Sequence, residues 1–400
     1  MTHHTEKGTL EFMAKVNQQT LREVNTKAIF TYIASLETVT KRDICNGLQL
    51  SFATVSKIVD SLVDDGFVCL QEIGASSGGR KPNIYRFEPA SRAIIAIDFS
   101  PDNSTHIYLL DLRNQLLSES AVALANDESM DAILAKLKAE IDAICNDTGI
   151  PYTKILGVGV ALPGLYHSEK DLVINSLKPS FMDVHILKLL KAALQKPIIV
   201  ENDANMAAHG YYAAHGFADK NLLLLNFTDG IGLGLILNAN AFYGAHGFAG
   251  EVGNIMLGHA SRDQLFRFED VGTLFEIVRL SKQQGLIDQT LSLDESVGVI
   301  RERGNTDPKM QQIFSDIGEI VGTALGTLAD LFNPDKIILS GNIIVFQEFL
   351  TPHINKRVKD ISFVACQAEL TIEATLDLSK YVAIGCGVKV MQSWLKQWTP

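Results

Sequence analysis

Ile198-Ile199-Val200-Glu201-Asn202-Asp203-Ala204-Asn205 passes from three apolar, β-branched residues to four polar ones and an alanine. The first part suits a buried strand and the second the opening of a helix. Two carboxylates and two amides would then project from the carboxyl edge of a sheet, where α/β proteins hold their ligands. Taken alone, the run is equally the plain start of a capped helix. Its meaning depends on what surrounds it.

Around it lies an α/β pattern. Apolar strands are read at Ala93–Phe99, Thr105–Asp111, Ile155–Ala161, Pro197–Val200, Leu222–Phe227, Gly232–Leu237 and Lys336–Ser340, alternating with helices such as Met130–Cys145, Ile186–Leu194 and Met310–Phe332. Two further turns follow the opening run in order. Thr228-Asp229-Gly230-Ile231-Gly232-Leu233-Gly234 is a glycine-rich strand turn, and Gly247-Phe248-Ala249-Gly250-Glu251-Val252-Gly253-Asn254 is a glycine-flanked acidic one.

The chain before Pro89 has another texture. A helix is read from Leu21, with Leu21, Val24, Ala28, Ile29, Ile33 and Leu36 on one face. Thr40 can cap a short helix, Lys41 to Leu48, by accepting from unpaired N–H groups of its first turn. After Gln49-Leu50-Ser51, the segment Phe52–Asp65 turns Val55, Ile58, Val59, Leu62 and Val63 inward and leaves Ser51, Ala53, Thr54, Ser56 and Lys57 outward near its start. Helix, short turn and helix, with small hydroxyl residues and a lysine at the exposed end, is a helix-turn-helix that can enter a DNA groove. Strands Val68–Ile73 and Ile84–Phe87 then form a wing whose tip carries Arg80 and Lys81 on flexible glycines, suited to phosphates or a narrow minor groove.

Composition limits the remaining choices. At 400 residues the chain suits two or three domains, and its five cysteines (Cys45, Cys69, Cys145, Cys366, Cys386) form no C-x-x-C pair that would indicate a disulfide framework or zinc knuckle. No secretory h-region or run of about 18 apolar residues is present, so a cytoplasmic protein without membrane insertion is expected. The net charge is −11, yet residues 1–90 hold ten Lys+Arg and ten Asp+Glu, so the excess lies wholly in the body. DNA binding must then rest on locally placed cations.

Several of these stretches carry a family resemblance. Glu201 to Asn205, Gly250 to Gly253, Leu331-Phe332-Asn333-Pro334-Asp335-Lys336-Ile337 and Ala383-Ile384-Gly385 stand as in the ROK family of repressors and sugar kinases, which the chain resembles from about Leu21 to the C-terminus. The helix-turn-helix and Gly78-Gly79-Arg80 are similar to those of the family's NagC/Mlc-type repressors. The resemblance implies an α/β fold: an N-terminal winged helix-turn-helix plus a two-lobed, actin-like or ribonuclease H-like sugar-kinase ATPase body. Its domains would be a tail at 1–20, the DNA-binding head at 21–90, a smaller lobe at 91–205 to which the C-terminal helix 380–400 returns, and a larger lobe at 206–379 for effector binding and dimerisation. It also implies that Asp203 occupies the position of the kinases' general base. Asn202 and Glu251 would bond sugar hydroxyls, and Asn175, with Leu162-Pro163-Gly164, would complete a sugar pocket.

Departures from the family pattern matter as much. Where family kinases open the body with an Asp-x-Gly-Gly-Thr turn for ATP phosphates, this chain has Asp98-Phe99-Ser100-Pro101-Asp102, and Asp229 replaces a glycine at the second phosphate turn. Bulky side chains and an added carboxylate oppose the approach of a phosphate. The four zinc ligands of the family fall on Asn254, Phe266, Phe268 and Thr273, so no cofactor or metal is expected. A sugar-contacting glutamate falls on Phe275, where a shift of one residue would restore it at Glu276, and Asn254 also stands in place of a sugar-contacting histidine.

The expectation is a non-enzymatic transcriptional regulator of sugar uptake or metabolism genes, a repressor, bound as a homodimer or dimer of dimers to a double-stranded operator. A sugar or sugar phosphate in the kinase-like cleft would control it. An active sugar kinase with an attached head, and a repressor controlled by a phosphotransferase-system protein, remain the alternatives.

Overall fold

The computed structural model describes residues 21–71, 83–100, 104–125, 128–176, 178–228, 230–260 and 264–398. In the head, helix α1 (21–34) is followed by β1 (Val39–Thr40), α2 (Lys41–Leu48), α3 (Phe52–Asp64), β2 (Val68–Gln71) and β3 (Ile84–Phe87). Thr40 and Asp43 form a reciprocal capping box at the start of α2. Gln49 then takes the left-handed conformation (φ 55°), ending that helix before Ser51 caps α3. The three strands pair antiparallel in the order β1-β3-β2.

Ile29, Phe30, Ile33, Ile44, Val55, Ile58, Val59 and Leu62 are buried as one core with Phe67 and Phe87. The inward face of α1 differs from the sequence expectation. Leu21 and Val24 are 61% and 58% exposed, and Leu36 also stays open, while Phe30 is buried. The face is set by Phe30, whose ring meets Phe87, Phe67 and Trp394 edge-on, so the first turn of α1 runs past the core.

Two sheets build the body. The first contains β4 (Ala93–Asp98), β5 (Ser104–Asp111), β6 (Leu116–Ala123), β7 (Ile155–Leu162) and β10 (Ile198–Asn202), with α4 (Met130–Thr148) and α5 (Ile186–Leu194) between its later strands and a small hairpin, β8 (Leu165–His167) and β9 (Leu172–Asn175), beside it. Its order is β10-β7-β4-β5-β6, with β10, β7 and β4 parallel and the remaining pairs antiparallel. After α6 (Asp203–Ala214), the second sheet takes β11 (Leu222–Phe227), β12 (Ile231–Leu237), β13 (Asn240–Ala241), β16 (Lys336–Gly341) and β17 (Thr371–Ala374). Its order, β13-β12-β11-β16-β17, repeats the same pairing: two antiparallel pairs, then two parallel ones.

Short β14 (Met256–Leu257) and β15 (Phe266–Arg267), then α7 (Phe268–Val271), α8 (Leu274–Gln283) and α9 (Leu293–Arg303), are inserted before α10 (Pro308–Phe332). The long α10 packs with α11 (Gln347–Ile361) over the second sheet, its Phe314 stacked on Phe349 at 4.6 Å. Beyond α11 come α12 (Val364–Gln367) and, after β17, the last helix α13 (Leu378–Gln397).

Helices α6 and α13 follow the last strands of the two repeats and lie against each other. A Cβ at Gly210 would collide with the carbonyl oxygen of Tyr381, and one at Gly385 with that of Met206. Only glycine permits backbones this close. The far end of α13 meets the head, where Trp394 lies 4.5 Å from the Phe67 ring and Trp398 donates its indole N–H to Asp65 at 2.6 Å.

Candidate functional site

The register of the first sheet fixes where polar groups emerge. Asp98 on β4 and Glu201 on β10 both pair with Ala161 of β7, so the two acids stand level at the carboxyl edge. Asn202 is both the last residue of β10 and the N-cap of α6, its side-chain oxygen accepting from Asn205 N. Its amide nitrogen donates to the carbonyl of Gly164 at 3.0 Å, closing the gap to the β7–β8 turn. Gly164 itself has φ +98°, and a side chain there would collide with the Asn175 carbonyl.

A cavity opens in front of this turn. It is lined by Gly164, Leu165 and Tyr166 on one side, Asn202 and Asn205 on the floor, Gly232 and Leu233 of β12, and Gly247, Ala249, Gly250 and Glu251 of the loop after β13. Behind it, buried Asp203 accepts from Ala204 N at 2.9 Å and from Asn226 Nδ2 at 3.2 Å. Burial, and then the charge of Asp98, push the Asp203 carboxyl up to about 7. Asp98 is raised by burial as well, although it accepts from Ser100 N at 2.9 Å. Glu201, also raised by burial, accepts from Asn202 N and from the Asn205 amide. Glu251 stays exposed at the mouth, where enclosure and then Glu269 raise its carboxyl. The chemistry offered is that of amides and carboxylates, with no Lys or Arg among the residues lining the cavity.

The residues singled out in the sequence are only partly brought together. Asn202 and Glu251 line the cavity and Asp203 lies directly behind Asn202, whereas Asn175 is exposed at the end of β9, with its backbone carbonyl beside Gly164. Asn254 is exposed on the turn that begins at Glu251. Glu276 is buried on α8, away from the cavity lining, and is gripped by the Arg279 guanidinium through two bonds of 2.5 and 2.6 Å. Sequence reasoning placed Glu201 and Asn205 at the ligand edge without a specific contact, and gave Tyr166 no role. The first two lay inside the quoted run, but nothing local signalled Tyr166.

Two other predicted features occupy definite places. Phe99 is buried against Phe181, edge-on at 4.8 Å, at the first turn of the body; Pro101, Asp102 and Asp229 lie outside the described residues. At the positions expected to replace a zinc site, Phe268 is buried edge-on to Phe227, Thr273 caps α8, Phe266 is half-buried in β15, and Asn254 is exposed. These side chains offer no thiolate or imidazole, so the set does not fit zinc.

In the head, Ser51, Ala53 and Lys57 are exposed, and Thr54 is half-buried with its hydroxyl 2.9 Å from that of Ser51. Ser56, expected to point outward, is half-buried instead: it accepts from Lys41 Nζ at 2.8 Å and donates to Asp60 at 3.0 Å. Phe52, not singled out in the sequence, is 62% exposed at the same helix end. Arg80 and Lys81 lie outside the described residues.

Known proteins resemble this arrangement along nearly its whole length. The chain is 23% identical over 394 residues to a putative xylose repressor of Caldicellulosiruptor sp. (strain Rt8B.4), covering 95% of this chain and 98% of the relative. It is 22% identical to the DNA-binding transcriptional dual regulator NagC of Escherichia coli (strain K12), with 95% of each covered. The crystal structure of a ROK family transcriptional regulator, a homolog of the E. coli Mlc protein, superposes with a TM-score of 0.79 at 20% identity, covering 94% of this chain and 98% of that one, and so shares its fold. Residues 95–270, which include the cavity floor, its Gly164 wall and the Glu251 mouth, match the ROK family profile. A ROK family domain therefore lies at the centre of the chain.

Proposed function

We propose that the chain is a sugar-responsive transcriptional repressor whose head binds a double-stranded DNA operator and whose cavity takes an unphosphorylated sugar. The observation that carries the reading is the cavity: amides and carboxylates converge on it from Asn202, Asn205 and Glu251, with Asp203 behind them. Sugar hydroxyls both donate and accept, so such a wall suits them. A phosphate dianion needs cationic or dense N–H donors, and the lining residues supply no Lys or Arg. Repressors among the relatives that match nearly the whole chain support the regulatory assignment.

The head is read as a winged helix-turn-helix. Helix α3 would enter the major groove with Ser51, Phe52, Ala53, Thr54 and Lys57, while Arg80 and Lys81 of the wing would reach the adjacent backbone or minor groove. Ser56 serves the head internally, holding Lys41 and Asp60. Two heads on a homodimer would read half-sites about 10 bp, or a multiple, apart. Kinase activity is not part of the reading, because Ser100, Pro101 and Asp102 stand where the family kinases have Gly-Gly-Thr at the phosphate turn. No helix among the described residues is long and apolar enough to cross a membrane. A cytoplasmic setting follows from the DNA-binding role.

A thermal-shift screen tests the reading. D-xylose, D-glucose, N-acetylglucosamine and the corresponding 6-phosphates and 5-phosphate would each be added with and without Mg-ATP. An unphosphorylated sugar should raise the melting temperature independently of Mg-ATP, by an amount equivalent to about 2.7 kcal/mol at a hundredfold excess over Kd. Stabilisation that requires Mg-ATP, with appearance of a sugar phosphate, would replace the repressor reading by that of a kinase.

A further inference from the structure

The cavity and the head are joined through one helix, and a chain of polar contacts leads into it. The loop after β13 supplies Gly247, Ala249 and Gly250 to the cavity wall, and Tyr243 lies at its base, with its carbonyl accepting from Ala249 N at 3.1 Å. The Tyr243 hydroxyl lies 2.7 Å from Lys389 Nζ on α13 and 2.7 Å from His209 Nε2 on α6, and the ammonium also sits 4.9 Å from the Tyr243 ring centre. Burial, reinforced by Lys389, pushes His209 down to about 3, so the imidazole is neutral. Lys389 therefore donates to the phenol oxygen, and the phenol donates to His209. Burial lowers the Lys389 ammonium, the charge of Glu201 opposes that shift, and Glu201 also holds the cavity residues Asn202 and Asn205 through their N–H groups. Both the cap and the floor of the cavity thus bear on Lys389.

Five residues further along α13, about 7.5 Å at the helical rise, Trp394 enters the head. It packs on Phe67 and Phe30 at 4.5 and 5.7 Å, and Trp398 bonds Asp65 just beyond α3. At Gly210 and Gly385 the backbones of α6 and α13 pack directly against each other.

Resting on the reading of the cavity as an effector site, we infer that Tyr243 and Lys389 are positioning residues that convert closure of the cavity loop into a shift of α13, and that Trp394 and Trp398 pass this shift to the DNA-binding head. A ligand can bias such an element only by binding its two positions unequally. Contact with the loop that carries Gly247, Ala249 and Gly250 supplies that inequality.

The chain provides its own probe, since it contains two tryptophans and both stand at the joint with the head. Neither lines the cavity. The full-length protein would be titrated with D-xylose, D-glucose and N-acetylglucosamine, following heat by calorimetry and tryptophan emission under excitation that leaves tyrosine silent. In the unsubstituted chain, emission should change and saturate along the calorimetric curve. Tyr243→Phe keeps the ring and removes the hydroxyl; Lys389→Met keeps most of the bulk and removes the charge. Each should bind sugar within about threefold of the unsubstituted chain while losing most of the emission change. Sugar binding with no emission change, or an unaltered change in both variants, would overturn the relay and leave the cavity reading standing. No heat with any sugar would overturn that reading and the relay with it.

Discussion

The two repeats share a strand order, yet the helices that close them are put to different use. After β10, helix α6 starts at once, and Asn202, Asp203 and Asn205 are placed at the cleft before the chain turns away. After β17 the chain passes through Leu376, which is 74% exposed, before α13 begins without a side-chain cap and leads to Trp394 in the head. One closing helix presents polar groups to the cleft and the other connects to the head. A duplicated α/β unit can thus carry recognition in one copy and transmission in the other, with the Gly210–Gly385 contact holding the two together. Within the first repeat the sheet edge is divided too: β10 and β4 present the acids Glu201 and Asp98 level with each other, whereas Phe99, next after β4, is buried against Phe181.

Breaking the apolar side of that contrast should cost the most. Phe99→Ala removes a fully buried ring from Phe181 and should lower stability by about 3–5 kcal/mol in urea unfolding, without conferring ATP binding.

The polar side is sharpened by pH. Because Asp203 is raised from 3.8 to about 7, the folded state holds its proton more tightly than the unfolded one. Its stability contribution is complete below pH 4 and is lost as pH rises through 7. The difference is at most about 4 kcal/mol, and Asp98 shares it. Melting temperature should therefore fall from pH 4 to pH 8, and Asp203→Asn should flatten that slope. An equally steep slope in the variant would place the buried proton elsewhere.

Asn202→Ala acts on the wall itself. It removes the bond to Gly164 and the cap of α6, and should weaken sugar binding at least tenfold, about 1.4 kcal/mol, by calorimetry. About 1 kcal/mol of folding stability should go with the cap. The smallest effect belongs to the far end of the relay. Lys57→Ala should weaken operator binding uniformly across sequences and lower the salt slope by about one, with melting unchanged.

These contrasts were unevenly legible in the chain. The cavity floor could be read because its chemistry is local: strand end, cap and ligand groups occupy the few residues from Glu201 to Asn205. The head core was readable in α3, where Val55, Ile58, Val59 and Leu62 follow helical spacing, but not in α1, where packing on Phe87 and Trp394 sets the face. Strands β6 and β17 were missed because each is a largely exposed edge with little apolar signal. Tyr243, Lys389 and His209 were invisible for another reason. They meet across 34 and 146 residues of sequence, and no local pattern marks any of them. Ser56 shows the same limit, since its outward helical position is overridden by Lys41, 15 residues away.

Operator binding with and without sugar tests the central claim most directly. A duplex selected from a random pool by the purified chain would be titrated by fluorescence anisotropy, alone and with each unphosphorylated sugar. The account predicts a site with two-fold symmetry, affinity that falls steeply with salt, and at least tenfold weakening by one sugar without ATP, about 1.4 kcal/mol of coupling. Failure to enrich any duplex, or an operator affinity that no sugar moves while Mg-ATP and sugar yield a sugar phosphate, would contradict it.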